Sequence, residues 1–313
     1  MNPISTPRKS DVVTRIAPEH LQGFGIVTSC RDIWAYRSTL MLLTRRQIRL
    51  RYKNSVIGLA WSVLFPLAQT AIMTILVKYI LGSGPPNASA FILCALLPWT
   101  FFATAVLDSA ASVLGQTDML RKVYMPREIL PLATILANLV HMLMGIVVFL
   151  IYRYGLTTVL SSWPGAPPVD VAFLPLVILI ELGIVIGVSF VVCAWTTFYE
   201  DVKYIAQICL NAMYFLMPIL FFAENIYYSE RIPEGLRKII YDFYLLFPMT
   251  WVITAFKQMF FHKQNIAPVG HVPILSAPLD YRIMAGSAVV SVFVALGGIA
   301  YFNKVKWKFT ERP

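Results

Sequence analysis

The 313-residue sequence predicts an all-α membrane protein: six transmembrane helices, an N-terminal amphipathic helix, and two short helices dipping into the membrane before the last span. Three observations predict it. Hydrophobic residues make up 58% of the chain and charged residues only 13%, with a mean hydropathy of +0.68, whereas a soluble domain carries about a quarter charged residues. Six apolar runs are each long enough to cross roughly 30 Å of hydrocarbon as a helix. The basic residues then sort to one side.

Residues 1–30 read as a loose cytoplasmic tail. The first apolar run follows nearly sixty arginine-rich residues, so nothing here resembles a cleaved signal peptide. Residues 31–58 read as an amphipathic helix. Ile33, Tyr36, Leu40 and Leu43 follow helical three-four spacing, while Arg45, Arg46, Arg49, Arg51 and Lys53 crowd the end nearest the bilayer. Anionic headgroups alone account for such a cluster, at about 1 kcal/mol for each basic residue near the surface.

The spans fall at 59–81 ("LAWSVLFPLAQTAIMTILVKYIL"), 91–115, 129–152, 171–198, 204–223 and 283–303, within a transmembrane domain over 59–303. Ile239–Phe261 is also apolar, but Asp242, Lys257 and the central "FPMT" argue against a continuous span. Pro248 lacks an amide donor and pushes Phe247 away from helical geometry. With six spans both termini share a side. That side holds ten Lys or Arg in 1–58, three in 116–128, one in 199–203 and four in 304–313, eighteen of 26. The positive-inside rule makes it cytoplasmic, with 304–313 a short tail and 224–282 an outer segment.

Between spans two and three lies "TDMLRKVYMPREILPL", an island of charge in a hydrophobic chain. A solvated loop obeying the positive-inside rule is the plain reading. Yet Met119, Leu120, Val123, Tyr124 and Met125 interleave with Arg121 and Lys122, which suits a short helix lying along the membrane with a face to dock.

At these residues the sequence resembles a known family. "RRQIRLRYKNSVIGLAWSVLFPL", "LCALLPWTFF", "MLRKVYMPREILPL" and "FYEDVKYIAQICLNAMYFLMPILFF" together look like the membrane subunit of the ABC-2 polysaccharide exporters, in order and spacing from about Leu42 to Phe222. These export O-antigen, teichoic acid or capsule. The resemblance implies a permease that forms a homodimer and pairs with two copies of a separate ABC ATPase. It implies a coupling helix over 117–128, with Asp118, Met119, Leu120, Arg121, Lys122, Val123, Tyr124, Met125, Pro126, Arg127 and Glu128 seated on that partner. Arg31 to Lys53 becomes the interface helix, and the short outer helices become a re-entrant gate carrying Phe247, Pro248 and Trp251. "LLFPMTW" departs from the family in having phenylalanine where asparagine often precedes the proline.

The residues agree on what is missing. No lysine follows a glycine, so there is no phosphate-binding loop; no cofactor is expected on this chain, and ATP and Mg belong to the partner. No HExxH pair, GxSxG elbow or carboxylate cluster marks a catalytic or metal site, so the chain is expected not to be an enzyme. Cys30, Cys94, Cys193 and Cys209 lack metal or disulfide spacing and read as small core residues. The net charge of +10 is membrane-topological and does not call for nucleic acid. Glu200 and Asp201 are adjacent and point about 100° apart on a helix, so they read as a cap on span five in contact with the interface helix.

Lys78, near the end of its span, can snorkel. Asp108, His141 and Glu181 lie deeper, where a charge costs at least about 2.5–3.5 kcal/mol, and must face protein or water. They read either as helix-to-helix hydrogen bonding or as lining of a hydrated sugar path. Trp99, Phe101, Phe102, Tyr214 and Phe215 are the aromatic candidates for that path, since aromatic faces stack on sugar rings; an interfacial aromatic belt is the competing reading. Pro66, Pro98, Pro175 and Pro218 mark local breaks in helical bonding.

The function these readings imply is export of a lipid-linked polysaccharide across a bacterial cytoplasmic membrane. The alternatives are an ABC-2 exporter of a smaller lipid or drug, a proton-coupled transporter and a membrane glycosyltransferase. A relay needs several acidic groups within reach, and a glycosyltransferase needs a longer cytoplasmic loop.

Overall fold

A computed structural model describes residues 26–53, 58–80, 88–116, 125–156, 169–221, 233–245, 247–261, 265–269, 272–275, 279 and 281–306. Helix α1 (Ile26–Ala35) begins inside the stretch read as a tail and kinks at Tyr36 (φ −95°, ψ 20°) into α2 (Arg37–Tyr52). The Tyr36 and Leu40 amides still donate to the carbonyls of Asp32 and Tyr36 at 2.9 Å, so hydrogen bonding carries across the kink. The predicted apolar stripe is used: Leu43, flanked by Tyr36 and Leu40, packs against Met125, Ile129, Leu130 and Ala133.

Gly58, at φ 56°, leads into the first span, a backbone conformation that glycine adopts without steric cost. That span is α3 (Trp61–Thr74), widening into a π-helical turn to Ile80. It is followed by α4 (Ala88–Ser112), α5 (Ile129–Leu150, with a π-helical turn to Leu156) and α6 (Leu174–Phe198). Then come α7 (Val202–Leu216), α8 (Glu234–Leu245), α9 (Pro248–Phe261) and α10 (Tyr281–Val305). Among the described residues, five helical segments have the length and hydropathy of a span: Trp61–Ile80, Ala88–Ser112, Ile129–Tyr154, Asp170–Phe198 and Tyr281–Val305. The chain is a multi-pass membrane protein.

Two expectations need correction. The run expected over 204–223 is helical only to Leu216, because Met217 precedes Pro218 and turns extended (φ −73°, ψ 148°). The segment 224–282, read as two short helices, also holds an antiparallel hairpin of β1 (Asn265–Val269) and β2 (Val272–Leu275), with Asn265 paired to Leu275 and Val269 to Val272. Strands this short lack the sustained alternation by which a strand is read from sequence. The rest of that segment follows the sequence: α8 and α9 meet at 94°, with Pro248 as the first residue of α9, where its missing amide is harmless.

Helix α4 is the hub and is mostly buried, packing against α3, α5, α6, α7 and α9. The most intimate pairing is α6 with α10. A β-carbon on Gly187 would meet the Val294 carbonyl oxygen at 2.2 Å, one on Gly298 would meet the Gly187 oxygen at 2.2 Å, and one on Gly183 would meet Ser291 Oγ at 2.2 Å. Backbones therefore touch directly, as small residues allow in a bilayer, where packing replaces hydrophobic drive.

Candidate functional site

Arg51, at the end of α2, forms an ion pair with Asp108 of α4 and donates to Asn138 Oδ1 of α5 at 2.9 Å. Asn138 Nδ2 donates in turn to Asp108 Oδ2 at 3.0 Å and to the Thr134 carbonyl at 3.1 Å. Next to Arg51, the Tyr52 hydroxyl lies 3.1 Å from His141 Nδ1, with the two rings edge to face at 5.4 Å. Asn138 and His141 sit three apart on α5 and so share a face. This joint fastens the amphipathic helix to two spans. Asp108 and His141 thus both make helix-to-helix hydrogen bonds. Both partners of the ion pair are 38% exposed, so water screens it. Sequence reasoning passed over Asn138; its only signal was a polar residue in an apolar run on the same face as His141. Arg45, Arg46, Arg49 and Lys53 lie on exposed positions beside it.

The charged island meets a second junction. Asp118, Met119, Leu120, Arg121, Lys122, Val123 and Tyr124 fall outside the described residues. Glu128 is 2% exposed; it pairs with Lys306, just past the end of α10, and accepts from Ser29 Oγ of α1 at 3.5 Å. Asn303 Nδ2 donates to the same Ser29 hydroxyl at 2.6 Å, and Arg127 donates to the Lys306 carbonyl. Burial holds the Arg127 guanidinium below its ordinary value, against the pull of neighbouring Glu128. Of the residues expected to dock, Met125 and Glu128 are buried and Arg127 is half-buried in this junction. They face into the chain because α1, the loop and the end of α10 converge there, and the residues expected as a tail from 304 begin inside this contact.

Glu200 and Asp201 are exposed at the start of α7. Asp201 occupies the cap position but makes no side-chain cap bond, because its backbone is helical (φ −65°, ψ −20°) and not extended as a capping side chain requires. Among the described residues no hydrogen bond or ion pair joins either carboxylate to α2.

On the opposite face, α8 and α9 brace the broken end of α7. The Lys257 ammonium, 2% exposed, donates to the carbonyls of Pro218, Ile219 (3.1 Å) and Phe221 (2.9 Å), and lies 3.7 Å from the centre of the Phe91 ring. Thr250 Oγ1 donates to Met217 Sδ at 3.4 Å, and the Tyr244 hydroxyl donates to the Leu216 carbonyl. Carbonyls freed where a helix unwinds in a membrane must find donors, and one lysine supplies them here. Of the expected gate residues, Trp251 is buried, Pro248 starts α9, and Phe247 is partly exposed with its ring edge-on to Phe243 at 5.9 Å.

The aromatic candidates divide. Trp99, Phe101 and Phe102 are buried within the helix bundle, with Trp99 5.8 Å from Phe102 and 6.3 Å from Tyr214. Phe215 is 72% exposed on α7, edge-to-face with Tyr214 at 5.2 Å. Glu181 is completely buried in α6, and neither carboxylate oxygen has a hydrogen-bond partner among the described residues.

The chain is 26% identical over 278 residues to the O-antigen export system permease protein RfbA of Klebsiella pneumoniae, covering 87% of this chain and 93% of the relative. It is 26% identical over 283 residues to the protein of the same name from Myxococcus xanthus, covering 90% and 97%. The polysialic acid transport protein KpsM of Escherichia coli is 28% identical over 191 residues, 58% of this chain and 69% of the relative. No family model matches.

Proposed function

We propose that this chain, a relative of O-antigen export permeases over most of its length, is the permease subunit of an ATP-driven exporter of lipid-linked polysaccharide in a bacterial cytoplasmic membrane. The observation that carries the reading is similarity extending over nearly the full length of both the chain and the Klebsiella and Myxococcus permeases. The permease works as a homodimer with two ABC ATPase subunits, which hold ATP and Mg; both its termini are cytoplasmic.

In this reading closure of the ATPase presses on Asp118–Tyr124 and on the exposed arginines of α2. The Arg51–Asp108–Asn138 joint carries that displacement into α4 and α5, and the buried Glu128–Lys306 pair carries it into α10. The sugar path runs along α7 past Tyr214 and Phe215, and the bent pair of α8 and α9 closes its outer end.

Deleting the gene and assaying surface polysaccharide, with co-purification of the ATPase from the complemented strain, tests the reading. Surface polysaccharide is expected to vanish on deletion and return on complementation. Unchanged polysaccharide, or accumulation of a small lipid or drug instead, overturns it.

A further inference from the structure

The face opposite α1 and α2 holds a cavity of about 610 Å³ between the bent pair and the start of α10, within the range of about 300–1,000 Å³ typical of ligand pockets. Its aromatic lining comes from three elements: Tyr241 of α8, Trp251 of α9 and Tyr281 of α10. Its polar lining includes Asp242, Gln258 and Arg282. Tyr281 is held in place from the α6 side, its hydroxyl donating to Asp170 at 3.3 Å and its ring edge-on to Phe173 at 5.4 Å. Thr254, also on the lining, is 6% exposed, and its hydroxyl has no partner among the described residues.

We propose that this cavity is a saccharide-binding subsite, which holds a short stretch of the exported polysaccharide as it leaves the permease. The inference rests on the export reading above. The chemistry of the lining selects the ligand class. Aromatic faces stack on the C–H faces of sugar rings, while a carboxylate, an amide and a guanidinium exchange hydrogen bonds with ring hydroxyls. An apolar drug would cover the Asp242 carboxylate without offering it a donor, at a cost. An anionic phospholipid headgroup would engage Arg282 but meet the Asp242 carboxylate, which repels its phosphate. The position fits as well, since α8 and α9 brace the end of α7 and a chain leaving along α7 reaches this pocket next.

The test places the photoreactive residue p-benzoylphenylalanine at Leu245, which lines the pocket, or at Phe243, which is 63% exposed on the same helix and does not. Cells carrying their own polysaccharide are irradiated, and the purified permease is stained for carbohydrate after periodate oxidation. The expected result is a carbohydrate adduct from position 245 and none from 243, with the adduct lost when D242N and R282Q are added to the permease. An adduct indifferent to those substitutions, a phospholipid adduct by mass spectrometry, or no adduct in cells that export normally overturns the subsite and leaves the export function standing. If deletion of the permease gene leaves surface polysaccharide unchanged, the export reading falls and the subsite falls with it.

Discussion

Lys257 of α9 and Ile219, just past the end of α7, are joined by a 3.1 Å hydrogen bond from the ammonium to the backbone carbonyl. The lysine is buried and donates to the Pro218 and Phe221 carbonyls as well. A charge that the sequence set against a continuous span is therefore what holds the neighbouring broken span together.

Replacing Lys257 with Met keeps the length and apolar stem but removes every donor. Each buried carbonyl left without a partner costs about 1–3 kcal/mol. The purified K257M permease should unfold at a lower temperature in detergent than the parent and lose export. An unchanged unfolding temperature would show that the ammonium contributes nothing to the brace.

The Arg51–Asp108 pair calls for a charge exchange. R51D and D108R should each impair export, because each sets like charges facing across the joint, and the double exchange R51D/D108R should recover part of it. The direct attraction is worth only about 1 kcal/mol at this exposure, so the single variants should still insert. Surface polysaccharide in the four strains is the readout, and equal export in all four would remove the joint from the coupling path.

Five of the six spans were legible because little but burial in lipid explains apolar runs of that length, and the break before α9 was legible because proline acts locally. The joints were not. Arg51 meets partners 57 and 87 positions away, and Lys306 meets Glu128 at a separation of 178. No local pattern encodes such pairs, so Asp108 and His141 could be read only as groups needing some partner. Glu128 carried a misleading local signal: in a run with Arg121, Lys122 and Arg127 it reads as exposed, and only the arrival of α1 and the end of α10 buries it.

At the α6–α10 crossing a single methyl group should matter. G187A and G298A each place a β-carbon 2.2 Å from a backbone oxygen of the facing helix, and overpacking of this kind costs typically about 1–3 kcal/mol. Detergent extracts should contain less monodisperse protein, whereas G286A, which meets nothing within 4 Å, should behave as the parent. Equal yields from all three would mean that the helices are not in backbone contact.

Reversing Arg121 and Lys122 together (R121E/K122E) tests the docking island. Partly desolvated, charge-assisted hydrogen bonds are worth about 1.5–3 kcal/mol each, whereas loop charges in water contribute almost nothing. The variant should insert normally, lose the co-purifying ATPase and stop exporting. Normal assembly with normal export would make the island a solvated loop.

The glycine crossing also limits how the permease can move. With Gly183 and Gly187 seated against Ser291, Val294 and Gly298, α6 and α10 cannot slide past each other without lifting backbone off backbone, so they travel as one strut. One end of that strut is gripped at Asn303 and Lys306 by α1 and Glu128; the other begins at Tyr281, on the lining of the cavity between α8, α9 and α10. A tilt imposed at the base would therefore arrive across the membrane as a change in the width of that cavity, and gripping and releasing cargo there would need no messenger besides the stiffness of two helices locked together.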